Sequence, residues 1–243
     1  MDFIQKDNEL IHDCLNYLYE NDWNFANFLD KPSHHRFKLF REGISNGIEN
    51  NEYVCCGLNQ EEVCVNVCSG ASRGVLVFCP VGDIDEYSAD VRRLFSYVVK
   101  FDLSDEKYTE KELENYEYAL DEGLEDYFAE IYRGGNFDGV DYYVMERTEC
   151  DEDRSSSEMY LAYCKKMDMD SESEEIVNEF YNEPEENILH TFIESFYGTE
   201  VADNIEMFCE EHDINDIHNG NIGYLNDKPI IIDYAGDTVD KNF

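Results

Sequence analysis

Three side chains that can handle a metal ion and a proton lie close together near the end of the sequence. Asp216 and Asn221 frame the stretch Asp-Ile-His-Asn-Gly-Asn, and Asp233 ends the apolar run Pro-Ile-Ile-Ile-Asp. Phosphoryl transfer needs such a set, because one carboxylate orients or deprotonates the attacking hydroxyl while an amide and a second carboxylate hold Mg²⁺. An Asx-rich turn between a helix and a hairpin would have a similar composition. That alternative does not explain the apolar strand that ends in Asp233.

The surrounding pattern predicts an α+β chain that must position these residues. Three segments carry apolar side chains at steps of three and four residues, which is typical of amphipathic helices: 8–29, 106–123 and 185–212. Short runs of β-branched and aromatic residues predict antiparallel strands in three regions: 50–101, 128–132 and 140–145. Gly134-Gly135 is predicted to form the turn between the last two strands. The acidic stretch 149–186 is expected to hold a hinge, a helix and a mobile loop.

The charge of the chain is strongly negative, with 57 acidic residues against 18 lysines and arginines and a net charge of −39. Such a surface repels nucleic acid and anionic membranes and favours basic partners, so binding to nucleic acid or membrane is not expected. The charge also suits mimicry of DNA, although scattered acids more often serve only as a solvated surface. Because 42 % of the residues are hydrophobic and 14 % are aromatic, the chain can build a core, which argues against disorder.

Nine cysteines occur without the features of a secreted protein. The first residues, Met-Asp-Phe-Ile-Gln-Lys-Asp, contain no apolar signal region, and no stretch approaches the length needed to span a membrane. We therefore expect reduced, buried thiols and a cytoplasmic location. Cys64-x-x-x-Cys68 could form half of a zinc site, but no second pair is well placed, so a role in the core is the better interpretation.

The loop of Asp216 and Asn221, followed by Asp233, resembles the catalytic and metal-binding loops of the protein-kinase-like fold. With His218 and Gly220 it is also similar to the D-x-H-x-G-N loop of aminoglycoside phosphotransferases and of compact phage-encoded Ser/Thr kinases. The resemblance implies that Asp216 acts as a base or orients the hydroxyl, and that Asn221 and Asp233 bind Mg²⁺. His218 is expected to brace the loop through hydrogen bonds rather than to take part in the chemistry.

A two-lobed fold with ATP between the lobes is a further implication of this resemblance, which covers roughly residues 63–236. Residues 1–50 would form an N-terminal helical extension. Residues 51–148 would form an N-lobe built on an antiparallel sheet. Residues 149–243 would form a hinge and a minimal helical C-lobe that contains the catalytic and metal loops.

Lys100, in the apolar run Tyr-Val-Val-Lys-Phe, matches the position of the lysine that contacts the α- and β-phosphates of ATP in this fold. A lysine among apolar strand residues is costly unless it is paired. The resemblance implies an acidic partner on the next helix, and Glu117 is the predicted partner, with Glu114 as the alternative. Taken alone, Lys100 would be a solvent-facing edge residue, but the order of strand, helix, strands and catalytic loop favours the pair.

Further nucleotide contacts are expected at two places. Gly70 and Gly74 lie in Ser-Gly-Ala-Ser-Arg-Gly-Val, which could cover the phosphates as a reduced glycine-rich turn or form an ordinary hairpin. The run Val-Asp-Tyr-Tyr-Val-Met-Glu-Arg-Thr resembles the strand that enters the hinge of a kinase. Met145 would then lie behind the adenine, and Glu146 and Thr148 would offer backbone groups to its edge.

The chain departs from signalling kinases around the catalytic loop. Ile214-Asn215 stands where His-Arg usually precedes the catalytic aspartate, and the metal loop reads Asp-Tyr-Ala-Gly instead of Asp-Phe-Gly. Ten residues follow Asp233 in the sequence, so no room is expected for an activation segment. Phosphorylation of an activation loop is therefore not expected as a switch.

Two functions are consistent with these features. The first is an ATP- and Mg²⁺-dependent phosphotransferase, specifically a phage-encoded Ser/Thr kinase that modifies basic host proteins in the cytoplasm of the infected cell; a small-molecule acceptor stays open. The second is a catalytically weak, kinase-shaped inhibitor whose acidic surface blocks a host defence protein or a nucleic-acid-binding protein. The charge of −39 favours the inhibitor, whereas the full set of catalytic residues favours the enzyme.

Overall fold

The computed structural model describes residues 5–20, 54–58, 61–69, 73–102, 107–137, 140–171, 173–215 and 217–236, which form an α+β protein as predicted. The described helices are α1 (Gln5–Glu20), α2 (Ala89–Leu94), α3 (Tyr108–Glu122), α4 (Glu152–Met167), α5 (Glu174–Asn182), α6 (Glu185–Tyr197) and α7 (Thr199–Glu211). The described strands are β1 (Val54–Leu58), β2 (Glu61–Ser69), β3 (Arg73–Pro80), β4 (Tyr97–Asp102), β5 (Ile131–Phe137), β6 (Val140–Glu146), β7 (Ile222–Leu225) and β8 (Lys228–Ile231). The helices predicted over 106–123 and 185–212 are confirmed, the latter as α6 and α7 on either side of Gly198.

The chain divides into two compact units. The first unit comprises Met1–Leu113 and Glu130–Arg147, and the second comprises Glu114–Ala129 and Thr148–Phe243. The boundary after Arg147 lies one residue before the predicted end of the sheet-containing part at residue 148. Helix α3 begins in the first unit and ends in the second.

A six-stranded antiparallel sheet forms the first unit, in the order β1-β2-β3-β4-β6-β5. Because side chains alternate between the two faces of a sheet, one face collects the apolar residues of each strand. These residues form the core together with α1 and α2: Leu76, Phe78, Val99, Phe101, Tyr142 and Val144. The apolar face of α1 joins the same core through Leu10, Ile11, Cys14 and Leu15. Residues 21–29 of the predicted N-terminal helix lie outside the described residues.

The opposite face of the sheet carries charged and polar side chains. The register places Arg73 beside Asp102, Val75 beside Lys100, and Lys100 beside Tyr143. Arg73, Lys100, Asp102 and Tyr143 are all buried. Since burial of a charge is costly without a partner, this face must supply partners for each of them.

The prediction of a turn at Gly134-Gly135 is wrong. Both glycines lie within β5, where they pair with Tyr143 and Tyr142 of β6. A Cβ atom added at Gly135 would lie 2.7 Å from Cζ of the Tyr142 ring. The absence of a side chain at Gly135 therefore makes room for an aromatic ring that crosses the strand, and it does not serve to reverse the chain.

Helices α4 to α7 and the β7–β8 hairpin belong to the second unit. In the core of the second unit, the ring of Phe128 contacts the rings of Phe208 and Tyr234. Within the acidic stretch 149–186, α4 and α5 enclose a smaller cluster of Tyr163, Cys164 and Ile176. In the part of the chain that the structure describes, no helix is both long enough and apolar enough to cross a membrane.

Candidate functional site

A buried ion pair between a strand and the following helix occupies the polar face of the sheet. Lys100 lies on β4 with a residue exposure of 7 %, and its Nζ is 3.5 Å from Oε1 of Glu112 on α3. The Glu112 side chain is fully buried. The Lys100 ammonium also lies 5.7 Å from the centre of the Tyr143 ring, within the range of a cation–π contact. The burial and pairing expected of Lys100 are therefore present, but the acid that pairs with it differs from the prediction.

The predicted pairing of Lys100 with Glu117, or with Glu114, is wrong. Glu117 and Glu114 are both exposed, and Glu114 accepts a hydrogen bond from the hydroxyl of Tyr118. An α-helix turns about 100° per residue, so Glu112 and Glu117 point roughly 140° apart. The buried face of α3 combines Tyr116, which the apolar spacing selects, with residues that it does not select: Thr109, Glu112, Asn115 and Ala119.

Arg73 provides a second buried cation for the same carboxylate. Its Nη1 bonds to Oε2 of Glu112 and donates to the Tyr143 hydroxyl at 3.3 Å, and that hydroxyl in turn donates to Glu112. Burial acts to lower the pKa of Arg73, but Glu112, Tyr143 and Asp102 together outweigh burial and raise that pKa above the ordinary value. Burial, together with the Glu112 charge, holds the pKa of the Tyr143 hydroxyl well above its usual range. Glu112 therefore bridges Lys100 and Arg73.

Asp102 fixes the start of α3 relative to β4. Its Oδ1 accepts a hydrogen bond of 2.9 Å from the backbone N–H of Thr109 in the first turn of the helix. An acid at this place satisfies one of the N–H groups that a helix leaves without an internal partner. Burial raises the pKa of the Asp102 carboxyl above its ordinary value, against the hydrogen bond from Thr109.

A small apolar surface borders the Lys100–Glu112 pair on the same face of the sheet. Val75 pairs with Lys100, Val77 pairs with Val98, and Val98 pairs with Met145. Each of the three valines is half-buried, whereas Met145 is almost fully buried behind them. The arrangement offers a flat aliphatic surface beside a cation, which suits a planar ring joined to an anionic group.

The glycines predicted to cover a phosphate fall in two classes. Gly74 is a buried residue of β3, paired with Ser69 and Phe101, and it does not lie in a turn. Gly70 lies outside the described residues, between the paired ends of β2 and β3. The pairing of Ser69 with Gly74 fits both a glycine-rich turn over a phosphate and an ordinary hairpin, and residues 70–72 lie outside the described residues.

The segment predicted to hold adenine begins on β6 and ends in the second unit. Within the first unit, the N–H of Glu146 donates to the Glu130 carbonyl at 2.8 Å, so this group is already engaged. Burial of Glu146, reinforced by the charge of Glu130, raises the pKa of its carboxyl. Thr148, in the second unit, packs so closely on Gly223 that a Cβ atom there would collide with the threonine hydroxyl.

The predicted metal ligands lie at one end of the β7–β8 hairpin. Ile222 pairs with Ile231, and the N–H of Ile232 donates to the Asn221 carbonyl at 2.9 Å. Asn221 therefore lies beside the strand end that continues into Asp233. Asn221 is buried and Asp233 is half-buried. Asp216, the predicted catalytic carboxylate, lies outside the described residues.

The hairpin itself closes through Asn226 and Asp227, both with positive φ angles. Two residues with positive φ match the twist of antiparallel strands, and Asn and Asp tolerate that conformation. The short turn fixes the register of β7 and β8. It therefore also fixes the spacing of Asn221 and Asp233 at the other end.

The loop that contains Asp233 is held to the second unit at several points. The Tyr234 hydroxyl donates to the Ala129 carbonyl at 2.8 Å, and the Tyr234 carbonyl accepts from Nδ2 of Asn115 at 2.6 Å. Gly236 has a φ of 73°, and a Cβ atom there would collide with the Asp213 carbonyl oxygen. These contacts fix the backbone on both sides of the loop, so Asp233 has a defined position.

His218 bonds within its own loop, as expected. Its Nδ1 accepts a hydrogen bond of 3.0 Å from the N–H of Gly220 and so caps the short helix Asn219–Asn221. The ring also lies against Gly220, because an added Cβ atom would come within 2.8 Å of its Cε1. His218 thus shapes the approach to Asn221.

The donors of Asn221 and Asp233 fit a hard divalent cation, since Mg²⁺ prefers amide and carboxylate oxygens and keeps several waters. Among the described residues, groups of three His, Cys, Asp or Glu ligands within reach of one ion occur elsewhere, at Glu122, Glu211 and His212 and at His190, Asp203 and Glu206. Neither group includes the hairpin residues.

Cys64 is a buried free thiol, which agrees with the interpretation that it belongs to the core. The side chain of Cys68 lies outside the described residues.

Sequence reasoning missed Glu112, Arg73, Tyr143 and Asp102. One available signal is that Arg73 and Lys100 are each isolated cations in an apolar strand, and isolated buried cations need acidic partners.

Compared with models of known protein families and with curated protein sequences, the chain matches none of them.

Proposed function

We propose that this protein is an ATP- and Mg²⁺-dependent phosphotransferase that acts on a hydroxyl group. The observation that carries the proposal is the buried Lys100–Glu112 pair, formed between strand β4 and the helix that follows it. A buried lysine is costly unless it is paired, and Glu112 supplies the partner; we give this pair the further role of positioning a phosphate. The order of this strand, this helix, two further strands and a hairpin flanked by Asn221 and Asp233 supports the same function.

In the first unit, Lys100 would contact the α- and β-phosphates of the nucleotide. Glu112 orients the ammonium through the ion pair, and Arg73 holds Glu112 through the second carboxylate oxygen. This arrangement fixes the acid without any contribution from a phosphorylated loop. The surface of Val77 and Val98 would pack against the adenine ring.

In the second unit, Asn221 and Asp233 would hold Mg²⁺, which when bound neutralises phosphate charge that develops during transfer. Asp216 would orient the acceptor hydroxyl and receive its proton. Because little covalent chemistry is required of the protein, positioning by these residues would supply most of the rate enhancement.

The proposed acceptor is a Ser or Thr hydroxyl of a basic protein. A net charge of −39 attracts basic partners and raises their rate of encounter. We propose a phage-encoded kinase that modifies host proteins as the most specific form of this function. A small-molecule hydroxyl remains the alternative acceptor within the same reaction class.

The test is a phosphotransfer assay with radiolabelled ATP, Mg²⁺ and a mixture of basic proteins. Lys100→Met should lower transfer by orders of magnitude, because phosphate positioning is lost. Lys165→Met is the matched control, since this lysine is exposed on α4. Equal rates in the wild type and Lys100→Met would refute the assignment of Lys100.

A second candidate function is a non-catalytic inhibitor that presents its acidic surface to a nucleic-acid-binding protein. The net charge of −39 favours it. A charge-based inhibitor needs no nucleotide, and its affinity falls steeply with salt. If an Asp216→Ala, Asp233→Ala double variant kept its full effect in cells and no target carried new phosphate, this second function would replace the first.

A further inference from the structure

A groove with an apolar floor and an acidic rim lies in the second unit. Helices α6 and α7, residues 213–215 and Ile217 line a volume of about 300 Å³. Its floor consists of aliphatic side chains: Leu189, Ile193, Ile205 and Ile214. All of these except Leu189 are buried, so the floor is part of the packed structure and does not depend on an exposed loop.

The rim of this groove is uniformly acidic. Five carboxylates line it: Glu185, Glu186, Glu206, Glu210 and Asp213. All but Glu206 are exposed. Among the described residues that line the groove, none is a lysine or arginine, and the ring of His190 is already bonded to Asp203 at 2.8 Å. His190 also lies 3.8 Å from Glu206, so the excess of acid in the groove rests on the four exposed carboxylates of the rim.

An acidic face alone would be only a solvated surface, and an apolar hollow alone would be only imperfect packing. Their combination selects a ligand that has an aliphatic group and flanking positive charges. A basic peptide segment has both, because lysine and arginine side chains reach the rim while a neighbouring aliphatic side chain fills the floor.

We propose that this groove binds a short basic segment of the partner protein, with an aliphatic side chain of that segment seated on Leu189 and Ile205. In naming this segment as part of the phosphate acceptor, the proposal rests on the proposed function. Asn215 and Ile217 line the groove and flank Asp216 in sequence. A segment bound here therefore lies beside the sequence neighbours of the proposed catalytic carboxylate.

Each ion pair on the rim is expected to contribute modestly to the binding affinity, and the contributions of separate ion pairs are expected to add. An exposed ion pair changes affinity by about two- to fivefold, and the change is larger at low salt. Reversing the charge of Glu186 and Glu210 together should therefore weaken binding by about tenfold or more. Loss of the aliphatic side chain from the peptide should weaken binding by about tenfold as well.

The experiment measures fluorescence anisotropy of a short labelled Lys/Arg-rich peptide with leucines, at low salt and without nucleotide. A second peptide replaces the leucines with serines. The groove variant is Glu186→Lys with Glu210→Lys, and Glu186→Gln with Glu210→Gln serves if the first variant melts early. The matched control is Asp121→Lys with Glu200→Lys, two exposed acids of the same unit that do not line the groove.

We expect the wild type and the control variant to bind the leucine peptide within about twofold of each other. The groove variant and the serine peptide should each bind about tenfold more weakly. An equal loss of peptide affinity in the groove and control variants would show that the attraction comes from the overall negative charge. Equal affinity for the two peptides would show that the aliphatic floor does not contribute to binding. Either result, or no binding by the wild type, would overturn the proposal that this groove binds the peptide.

Failure of the groove is distinguishable from failure of the proposed function. If radiolabelled phosphate is transferred to basic proteins but the groove variant binds the peptide as tightly as the wild type, the proposed phosphotransferase is supported and the proposed groove is refuted. If the peptide binds as expected but no phosphate is transferred with Mg²⁺ and ATP, the groove stands as a docking surface for a basic partner. In that case the inhibitor is the function it serves.

Discussion

Replacement of Glu112 by Gln tests the centre of the candidate site. The side chain is fully buried, and at 3.5 Å from Lys100 Nζ a pair of unit charges attracts by about 5 kcal/mol at an effective dielectric constant of about 20. Arg73 is bound to the other carboxylate oxygen, so the substitution removes the negative charge that both buried cations share. Removing one partner of a buried pair costs roughly 3–5 kcal/mol. At about 2–4 °C per kcal/mol, the melting temperature should fall by roughly 6–20 °C.

The assay is thermal unfolding followed by circular dichroism, with Glu117→Gln as the control on the same helix. Because Glu117 is exposed, its replacement should change stability by less than about 0.5 kcal/mol. In the phosphotransfer assay at a temperature where both variants are folded, Glu112→Gln should lose activity and Glu117→Gln should keep it. Equal melting temperatures for the two variants, or greater loss of activity in Glu117→Gln, would refute the assignment of Glu112 as the partner of Lys100.

Two further predictions concern the metal loop and the start of α3. Gly236→Ala should destabilise the protein by roughly 3 kcal/mol or more, since it adds a collision with the Asp213 carbonyl to the strain of positive φ. Gly198→Ala meets no atom within 4 Å and should cost only the strain of its positive φ, roughly 1–3 kcal/mol. Equal losses in denaturant melts would argue against a tight loop. The folded pKa of Asp102 is raised above the unfolded value of 3.8, so its contribution to stability falls as pH rises through the folded pKa. Asp102→Asn keeps an acceptor for Thr109, and its melting temperature relative to wild type should rise between about pH 4 and pH 7; a constant difference would contradict the raised pKa.

Much of the secondary structure follows from local patterns in the sequence. The apolar run that contains Lys100 forms β4, and the spacing over 106–123 forms α3, because alternation and helical repeats are local properties of the chain. The hairpin that carries Asn221 and Asp233 also follows from a polar turn between two apolar runs. The residue types of the candidate site, from which phosphoryl transfer is proposed, could therefore be found without the tertiary structure.

Which face of α3 is buried could not be predicted in the same way. The three- and four-residue spacing of Leu113, Tyr116 and Leu120 indicates one apolar face, and Tyr116 is indeed buried. However, Leu120 is 48 % exposed, and the fully buried residues of the helix include Glu112 and Asn115. Polar residues can be buried where the fold supplies specific ion-pair or hydrogen-bond partners, and those partners come from distant parts of the chain. Arg73 on β3 lies 39 positions before Glu112, and no spacing rule joins them.

The sequence by itself determined the α+β class, the order of strand, helix and hairpin, the acidic surface and the residue types of the candidate site. Only the tertiary structure decided which acid meets Lys100, that Gly135 makes room for the Tyr142 ring, and that the acids of α6 and α7 surround an apolar groove. The physical reason is that periodicity reports which side of an element is apolar. Ion pairs, ring contacts and cavities depend on which elements meet, and that is set by the packing of the whole chain.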